Sequence, residues 1–579
     1  QAVKASMAYP LYFEPVIIDS VLLFDGGIYN NFPFEILRDD FSPAYIIGSK
    51  VANRTPKPGR DDLMLQLENM IMQETNYSIP DSVGLVIETK FQNVSLLDFE
   101  KADSLIEQGY RNAKRYIENI LPHVETIDKT EIAIRRTNFI KSMPDTLFTN
   151  IFVSGISERQ EDYITKLITR KEKVLNPDQL KAEYFRLLSE ENVDRVYPEA
   201  QFNQANRSYD LYLDIKLKEA YSLSVGGLIS LSTYSQIFMG FKYHRLTDVF
   251  NMFSANIYLG QYYSSFSLAH RIMVPQKNSL IIDFGLTGSR WNYFTNESPA
   301  LFYNTSSTYA VRNERLFRAC FGLPAGNNSL FRTGLSFAWI DDEYYQEQLY
   351  SETSETDNSE YFYAGAKVSF IGNTLNRKQF ATGGNNFYVA AHYNTGFEYF
   401  SSGQSDSIAG PEEWSDQQGW FTVNLVSENY SPVGNRFIIG SLVDISLSNR
   451  DVGNNYTSTL INSYKFEPTP FSKQIFGKSL RANSYLGGGI MPIFEITRDF
   501  HLRGGLYGFM PVRSITDGSQ GVEYSDYFKE IIGVAELGIV YHTRVGPFST
   551  GINYFTHEKN KLFYFLNFGY ILFNKKGLE

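Results

Sequence analysis

The sequence predicts a multidomain chain: a partial α/β domain, a small α+β module and a C-terminal transmembrane antiparallel β-barrel of about 16 strands. Three observations predict it. Aromatic residues reach 15%, with Tyr 40 and Phe 45, while charged residues are only 20%. No apolar run approaches the roughly 18 residues a membrane helix needs. From residue 219 to 579 the pattern has period two, in segments of roughly ten residues broken by polar or Gly-rich turns.

Residues 1–122 mix strands and helices. "VLLF", "AYIIGSKV" and "SVGLVIETKF" are short buried-strand runs. "DDLMLQLENMIMQE" reads as a helix capped by Asp61 or Asp62. "FEKADSLIEQGYRNAKRYIENIL" is the clearest helix here. Phe99, Ala102, Leu105, Ile106, Tyr110, Ala113, Ile117 and Ile120 recur at three- and four-residue steps and make one apolar stripe. Such alternation indicates an α/β layer structure. Within it, "VLLFDGGIYNNFP" sets Asp25 just past a strand end, followed by Gly26 and Gly27. A catalytic acid or base is common at that edge of a sheet, and glycines let another group approach closely. A tight turn explains Asp-Gly-Gly equally well.

Residues 123–144 read as a linker. Residues 145–218 then run strand, helix, helix, strand, strand. "LFTNIFVSGI" is the first strand. Ser157 and Gln160 have capping-box spacing before the first helix. Asn176, Pro177 and Gln179 start the second in the same way. In "SYDLYLDIKLKE" Tyr209, Leu211, Leu213, Ile215 and Leu217 share one face, with polar residues opposite.

The 219–579 stretch repeats segments such as "FSANIYLGQYY", "SLIIDFGLTG", "YFYAGAKVSFIG" and "NKLFYFLNFGYILF". In the last, Leu562, Tyr564, Leu566, Phe568, Tyr570 and Leu572 form a wholly apolar face. Phe563, Phe565, Asn567, Gly569 and Ile571 form a mixed one. A span in lipid must satisfy its backbone hydrogen bonds internally, so without an apolar helix a closed barrel remains. A soluble all-β sandwich or propeller is the alternative. The aromatic excess reads as belts at the strand ends.

Several motifs then occur in order. "VKASMAYPLYFEPV", "LFDGGIYNNFPFEIL" and "LIEQGYRNAKRYI" resemble the second half of the patatin-like phospholipase domain, over roughly residues 1–122. The resemblance implies a Ser–Asp dyad in which Asp25 is the catalytic base, with Gly26, Gly27, Asn31 and Pro33 in the site loop. The partner serine belongs on a Gly-x-Ser-x-Gly elbow, because a hydroxyl nucleophile needs a base within reach. That elbow is not found: "GLSFA" at Gly334 has Ala338 where the second glycine belongs. The chain opens with Gln1, and we expect it to be processed or truncated there.

The 145–218 module resembles a POTRA domain. "TRVGPFSTGINY" resembles the penultimate strand of the barrels that follow such domains, and "FGYILF" their terminal strand. The Val-Arg-Gly-Phe/Tyr motif of that superfamily's inward-folded loop has no clear match; "HLRGGLYGF" shares only Arg-Gly. The resemblance implies an outer-membrane protein of a Gram-negative bacterium with its N-terminal domains in the periplasm. The expected activity is acyl-ester hydrolysis of phospholipids by a tethered patatin-like domain. The alternative is a non-catalytic barrel for membrane-protein assembly or secretion, with the patatin remnant as a docking module. A pore is a lesser option.

Expected partners are outer-membrane lipids, the protein's own N-terminal fragment, a second copy, or outer-membrane assembly and lipoprotein partners. The net charge of −11 argues against nucleic acid, which needs a basic face. A single cysteine, Cys320, excludes an intrachain disulfide, and the seven scattered histidines show no metal spacing. Neither metal nor cofactor is expected. Asp341, Asp342 and Glu343 read as a solvated loop, with calcium binding a minor alternative. Gly487–Gly489 read as a strand segment, and Cys320 as a packed side chain.

Overall fold

The computed structural model describes residues 2–10, 12–51, 63, 66–67, 70, 75–91, 94, 99–124, 128–143, 146–230, 234–276, 279–294, 308–326, 328–346, 355–403, 413–518, 521–558 and 561–576. The chain divides into two compact units, Gln1–Met143 and Pro144–Glu579.

Among its described residues the first unit holds two small sheets. Strands Val16–Ile18 and Val21–Leu23 form an antiparallel hairpin, while Ile46–Lys50 and Gly84–Glu88 pair in parallel. The helix expected over 61–74 lies largely outside the described residues. The long helix of the sequence reading is broken in two, Ala102–Lys114 and Ile117–Ile120, and neither buries a residue. Its stripe is open to solvent: Ile106 is 70% exposed and Tyr110 65%. Residues 123–144 contain the helix Lys129–Ser142, capped by Asp128.

The second unit begins with a three-stranded sheet in the order Phe148–Ser154, Ser208–Leu217, Val193–Asn203, parallel in its first pairing and antiparallel in its second. Helices Glu158–Ile168 and Pro177–Leu188 cover it. Both start at the expected caps: Ser157 N donates to Gln160 Oε1 at 2.9 Å, and Gln179 N to Asn176 Oδ1 at 2.9 Å. Leu211, Leu213 and Ile215 point inward against Tyr163, Ile164, Leu167 and Ile168. Burying each such side chain stabilises by about 1.5–3 kcal/mol. Leu246, Phe250 and Met252, at a turn between barrel strands, join the same core. Arg186 Nη2 also donates to Ser279 Oγ at 2.8 Å, so the module is docked at one mouth of the barrel.

The barrel has 16 strands, closed and antiparallel throughout: β1 Tyr221–Ser230, β2 Gln236–Leu246, β3 Phe250–Gly260, β4 Tyr263–Val274, β5 Leu280–Phe294, β6 Thr308–Pro324, β7 Ser329–Tyr344, β8 Asp357–Asn373, β9 Gly384–Ser401, β10 Glu413–Pro432, β11 Phe437–Ser448, β12 Tyr485–Glu495, β13 Phe500–Pro511, β14 Ile532–His542, β15 Pro547–Phe555 and β16 Leu562–Gly569. The alternation of β16 falls as expected, with Phe563 and Phe565 inward and Leu562 and Tyr564 outward. Outward residues such as Leu223, Val225, Ile257, Phe266 and Leu506 are exposed apolar side chains all around the wall. Water would not tolerate so large an apolar surface; hydrocarbon does.

The aromatic excess has a second destination. Trp291, Trp420, Tyr263, Tyr344, Tyr363, Phe509, Phe555 and Phe563 are among the largest fully buried side chains, and they face into the barrel. They pack there against chain that enters the lumen, so belts at the strand ends account for only part of the composition.

Candidate functional site

In the first unit Asp25 follows the hairpin and caps a single 3-10 turn, Gly26–Ile28. Its Oδ1 accepts from Gly27 N at 2.8 Å, and its own N–H donates to Ala8 O at 3.0 Å. No hydrogen bond reaches Oδ2 among the described residues, which leaves that oxygen with unused acceptor capacity. A Cβ on Gly27 would lie 3.0 Å from Asn31 Oδ1 and 3.2 Å from Asp25 Oδ1, so glycine lets these side chains converge. Asn31 is held by Thr75, whose Oγ1 accepts from Asn31 N at 3.3 Å, and by the Tyr77 hydroxyl, which accepts from Nδ2 at 3.3 Å. Pro33 precedes helix Phe34–Phe41. Contrary to the buried strand that the sequence suggested, the strand before Asp25 is largely exposed. Val21 and Leu22 are exposed because their strand pairs only with Val16–Ile18 among the described residues.

In the second unit the chain between β11 and β12, residues 449–484, folds into the lumen. Its sequence lacks period two and carries a short helix, Tyr456–Asn462, capped by Asn455. Three arginines fasten it. From the wall, Arg312 Nη1 donates to Ile461 O at 2.9 Å and Nη2 to Asn462 Oδ1. Arg312 is itself paired with Glu314 at 3.2 Å and Asp342 at 3.1 Å. From the loop, Arg450 donates to Asn462 O at 2.7 Å and to the Tyr363 hydroxyl at 2.9 Å, and lies over the Trp420 ring. Arg481 donates to Phe476 O at 2.9 Å and stacks on Phe476. A hairpin between β13 and β14, Arg513–Tyr527, packs on this segment through Ile515, and Asn483 donates to the Tyr524 hydroxyl at 2.7 Å. Buried charges need such pairing, since desolvating an unpaired ion costs several kcal/mol.

One reading of the sequence changes here. Asp342 is fully buried in β7 and ion-paired, so Asp341–Glu343 is strand rather than solvated loop. The segment 449–484 folds inward without a Val-Arg-Gly-Phe/Tyr motif, and its buried arginines are Arg450 and Arg481. "HLRGGLYGF" is instead wall strand β13. The signal available in the sequence was the loss of alternation across 449–484, together with an arginine between apolar neighbours.

At the seam where the barrel closes, the pairings of β16 with β1 among the described residues are Asn567↔Ser230, Phe568↔Ile229 and Gly569↔Leu228, followed by Tyr570 N donating to Gly227 O at 3.2 Å. Gly569 turns the chain with φ +110°, and a Cβ there would lie 2.1 Å from Gly227 O. The tail then enters the lumen. Asn574 N donates to the Tyr263 hydroxyl at 2.9 Å, and Phe573 packs against Tyr263 and Trp291. Along Tyr221–Gly226, β1 is paired with β2 alone among the described residues, so its other edge carries unmatched backbone groups.

The patatin-like phospholipase family model matches residues 1–38, which include the whole Asp25 loop. No curated protein matches the sequence. Among solved structures, BamA from Haemophilus ducreyi lacking POTRA domains 1–3 is similar at TM-score 0.50 and 11% identity, covering 76% of this chain and 93% of that one. CdiB from Acinetobacter baumannii gives TM-score 0.41 at 10% identity over 93% of this chain and 96% of that one. CdiB from Escherichia coli gives 0.42 at 12% over 73% and 76%. Identities this low speak for the fold alone, and the BamA likeness is the one that carries it. With its apolar outer wall and closed strands, the chain is an outer-membrane protein of the Gram-negative type, in which a patatin-like segment precedes a POTRA-type module and a 16-strand barrel.

Proposed function

We propose that this protein handles other polypeptides at the outer membrane, assembling or secreting them, with the patatin-like segment as a docking module on the periplasmic side for assembly or lipoprotein partners. The observation that carries this is the seam. A free strand edge inside a membrane wall is costly unless something pairs with it, and an incoming strand is the natural match. A simple pore is disfavoured by the loop and tail that occupy the lumen.

A disulfide across the seam tests it. With Cys320→Ser as background, Ser230→Cys and Asn567→Cys place cysteines at paired positions. Oxidation should abolish insertion or release of a reporter protein in vesicles reconstituted with the full chain, and reduction should restore it. Full activity in the oxidised state would sink the proposal.

A second reading is favoured by the family match around Asp25. Here the protein is a phospholipid acyl hydrolase, with Asp25 as base and a serine supplied from outside these residues. The complete gene product should then release fatty acid from phospholipid, and Asp25→Asn should remove that activity. A reading frame upstream of Gln1 without Gly-x-Ser-x-Gly, or activity indifferent to Asp25→Asn, excludes it.

A further inference from the structure

We infer that the inner wall of β6–β9 holds a binding site for a phosphoryl anion, independent of the seam and of Asp25. The wall lines an open-sided cavity. Its lining brings together Arg318 from β6, Arg332 from β7, Lys367 from β8 and Lys575 from the tail, and contains no carboxylate among the described residues. Asp283 on β5, which pairs with Arg332, is also engaged by Arg271 Nε at 2.7 Å.

Unused hydrogen-bonding capacity points to the same space. Arg318 Nε, His392 Nε2 and Asn394 Nδ2 are buried and have no hydrogen-bond partner among the described residues, and all three residues line the cavity. Three polar atoms with unused capacity around one cationic space fit a ligand that accepts. A compact tetrahedral oxyanion supplies several acceptor oxygens and up to two negative charges. Guanidinium forks match that geometry better than an ammonium does. The phosphoryl group could belong to a lipid headgroup or to a small soluble phosphate; both present the same chemistry to the wall.

Cys320 lines the cavity and is the sole cysteine of the chain, so its thiol reports on occupancy without further engineering. The full chain in a non-ionic detergent is reacted with a sulfonate-bearing and an ammonium-bearing methanethiosulfonate. A cationic site concentrates the anionic reagent, which should react at least tenfold faster. Competitors are then added at matched ionic strength in sodium chloride: sodium pyrophosphate, dihexanoyl phosphatidylglycerol, dihexanoylglycerol, or a glutamate hexapeptide. Slowing of at least fivefold by pyrophosphate, lost in Arg318→Gln and kept in the Arg290→Gln control, supports a soluble phosphate. The same pattern with phosphatidylglycerol alone supports a lipid headgroup. Heat-dependent gel migration verifies that the variant barrel is folded, and Lys367→Gln replaces Arg318→Gln if it is not. The inference is overturned by a thiol inert to both reagents, or by equal rates for the two. It is equally overturned by protection that survives Arg318→Gln, by protection with the hexapeptide or dihexanoylglycerol alone, or by no protection beyond chloride.

Discussion

Two helices with the same kind of sequence meet different fates. Ala102–Lys114 in the first unit and Glu158–Ile168 in the second both carry apolar residues at helical spacing. The first leaves Ile106 and Tyr110 in solvent, while the second buries Tyr163, Ile164, Leu167 and Ile168 under a sheet. Amphipathicity states what a helix is able to cover; it does not supply the cover. The second unit has a sheet, a docked barrel turn and a filled lumen to do so, and the contrast can be tested residue by residue.

The largest effect belongs to the lumen, where burial is most complete. Arg312→Ala leaves Glu314 and Asp342 buried without their cation and releases the inward loop. It should cost about 3–5 kcal/mol, the range for breaking a buried ion pair. A barrel that keeps its heat-dependent gel migration and urea midpoint after this change would show that the loop is not held from the wall.

Next comes the pair of helices. Ile164→Ala, at a side chain with 0% exposure, should cost about 2–5 kcal/mol by pulse proteolysis of the full chain in urea. Ile106→Ala should stay within about 0.5 kcal/mol, as surface substitutions do. Similar costs at both sites would break the comparison and mean that the Ile106 stripe is covered by something. A smaller, sharper case is Asn176→Ala. It removes a side-chain cap on helix Pro177–Leu188 and should cost about 1 kcal/mol in the same assay, with the barrel midpoint unchanged.

Legibility followed the same division. The barrel could be read because period two survives over many strands, down to the inward parity of Phe563 and Phe565. The module could be read because caps at Ser157 and Asn176 and the alternation at Leu211, Leu213 and Ile215 agree with each other. The inward loop could not. Its elements are too short for periodicity, and its stability comes from partners such as Arg312 and Trp420, which lie distant in sequence. Asp342 misled for the same reason: an acidic run looks solvated until Arg312 stands beside it. Around Asp25 the convergence of Gly27 and Asn31 was legible as a motif. The exposure of Val21 and Leu22 was not, because a β-branched run is equally compatible with a buried strand and an open hairpin.

The smallest effect is also the most diagnostic, because burial and exposure give pH dependence of opposite sign. In the second unit, burial pushes the Glu190 carboxyl up to about 7 from its ordinary 4.5, only partly opposed by the positive charge of Arg170. Its folded value lies above its unfolded one, so its contribution is fully present below about pH 4.5 and is lost as pH rises through 7. In the first unit Asp128 is exposed, and hydrogen bonds from Thr130 at the helix start lower its carboxyl. Its contribution is present above the ordinary value of 3.8 and disappears as pH falls below it. Comparing urea midpoints of Glu190→Gln and the parent between pH 5 and 8 should show a difference that shifts in favour of the variant as pH rises. Asp128→Asn should differ from its parent by an amount that shrinks below pH 4. If Glu190→Gln tracked the parent at every pH, water would reach that carboxylate, and the covered region would be less covered than its helices imply.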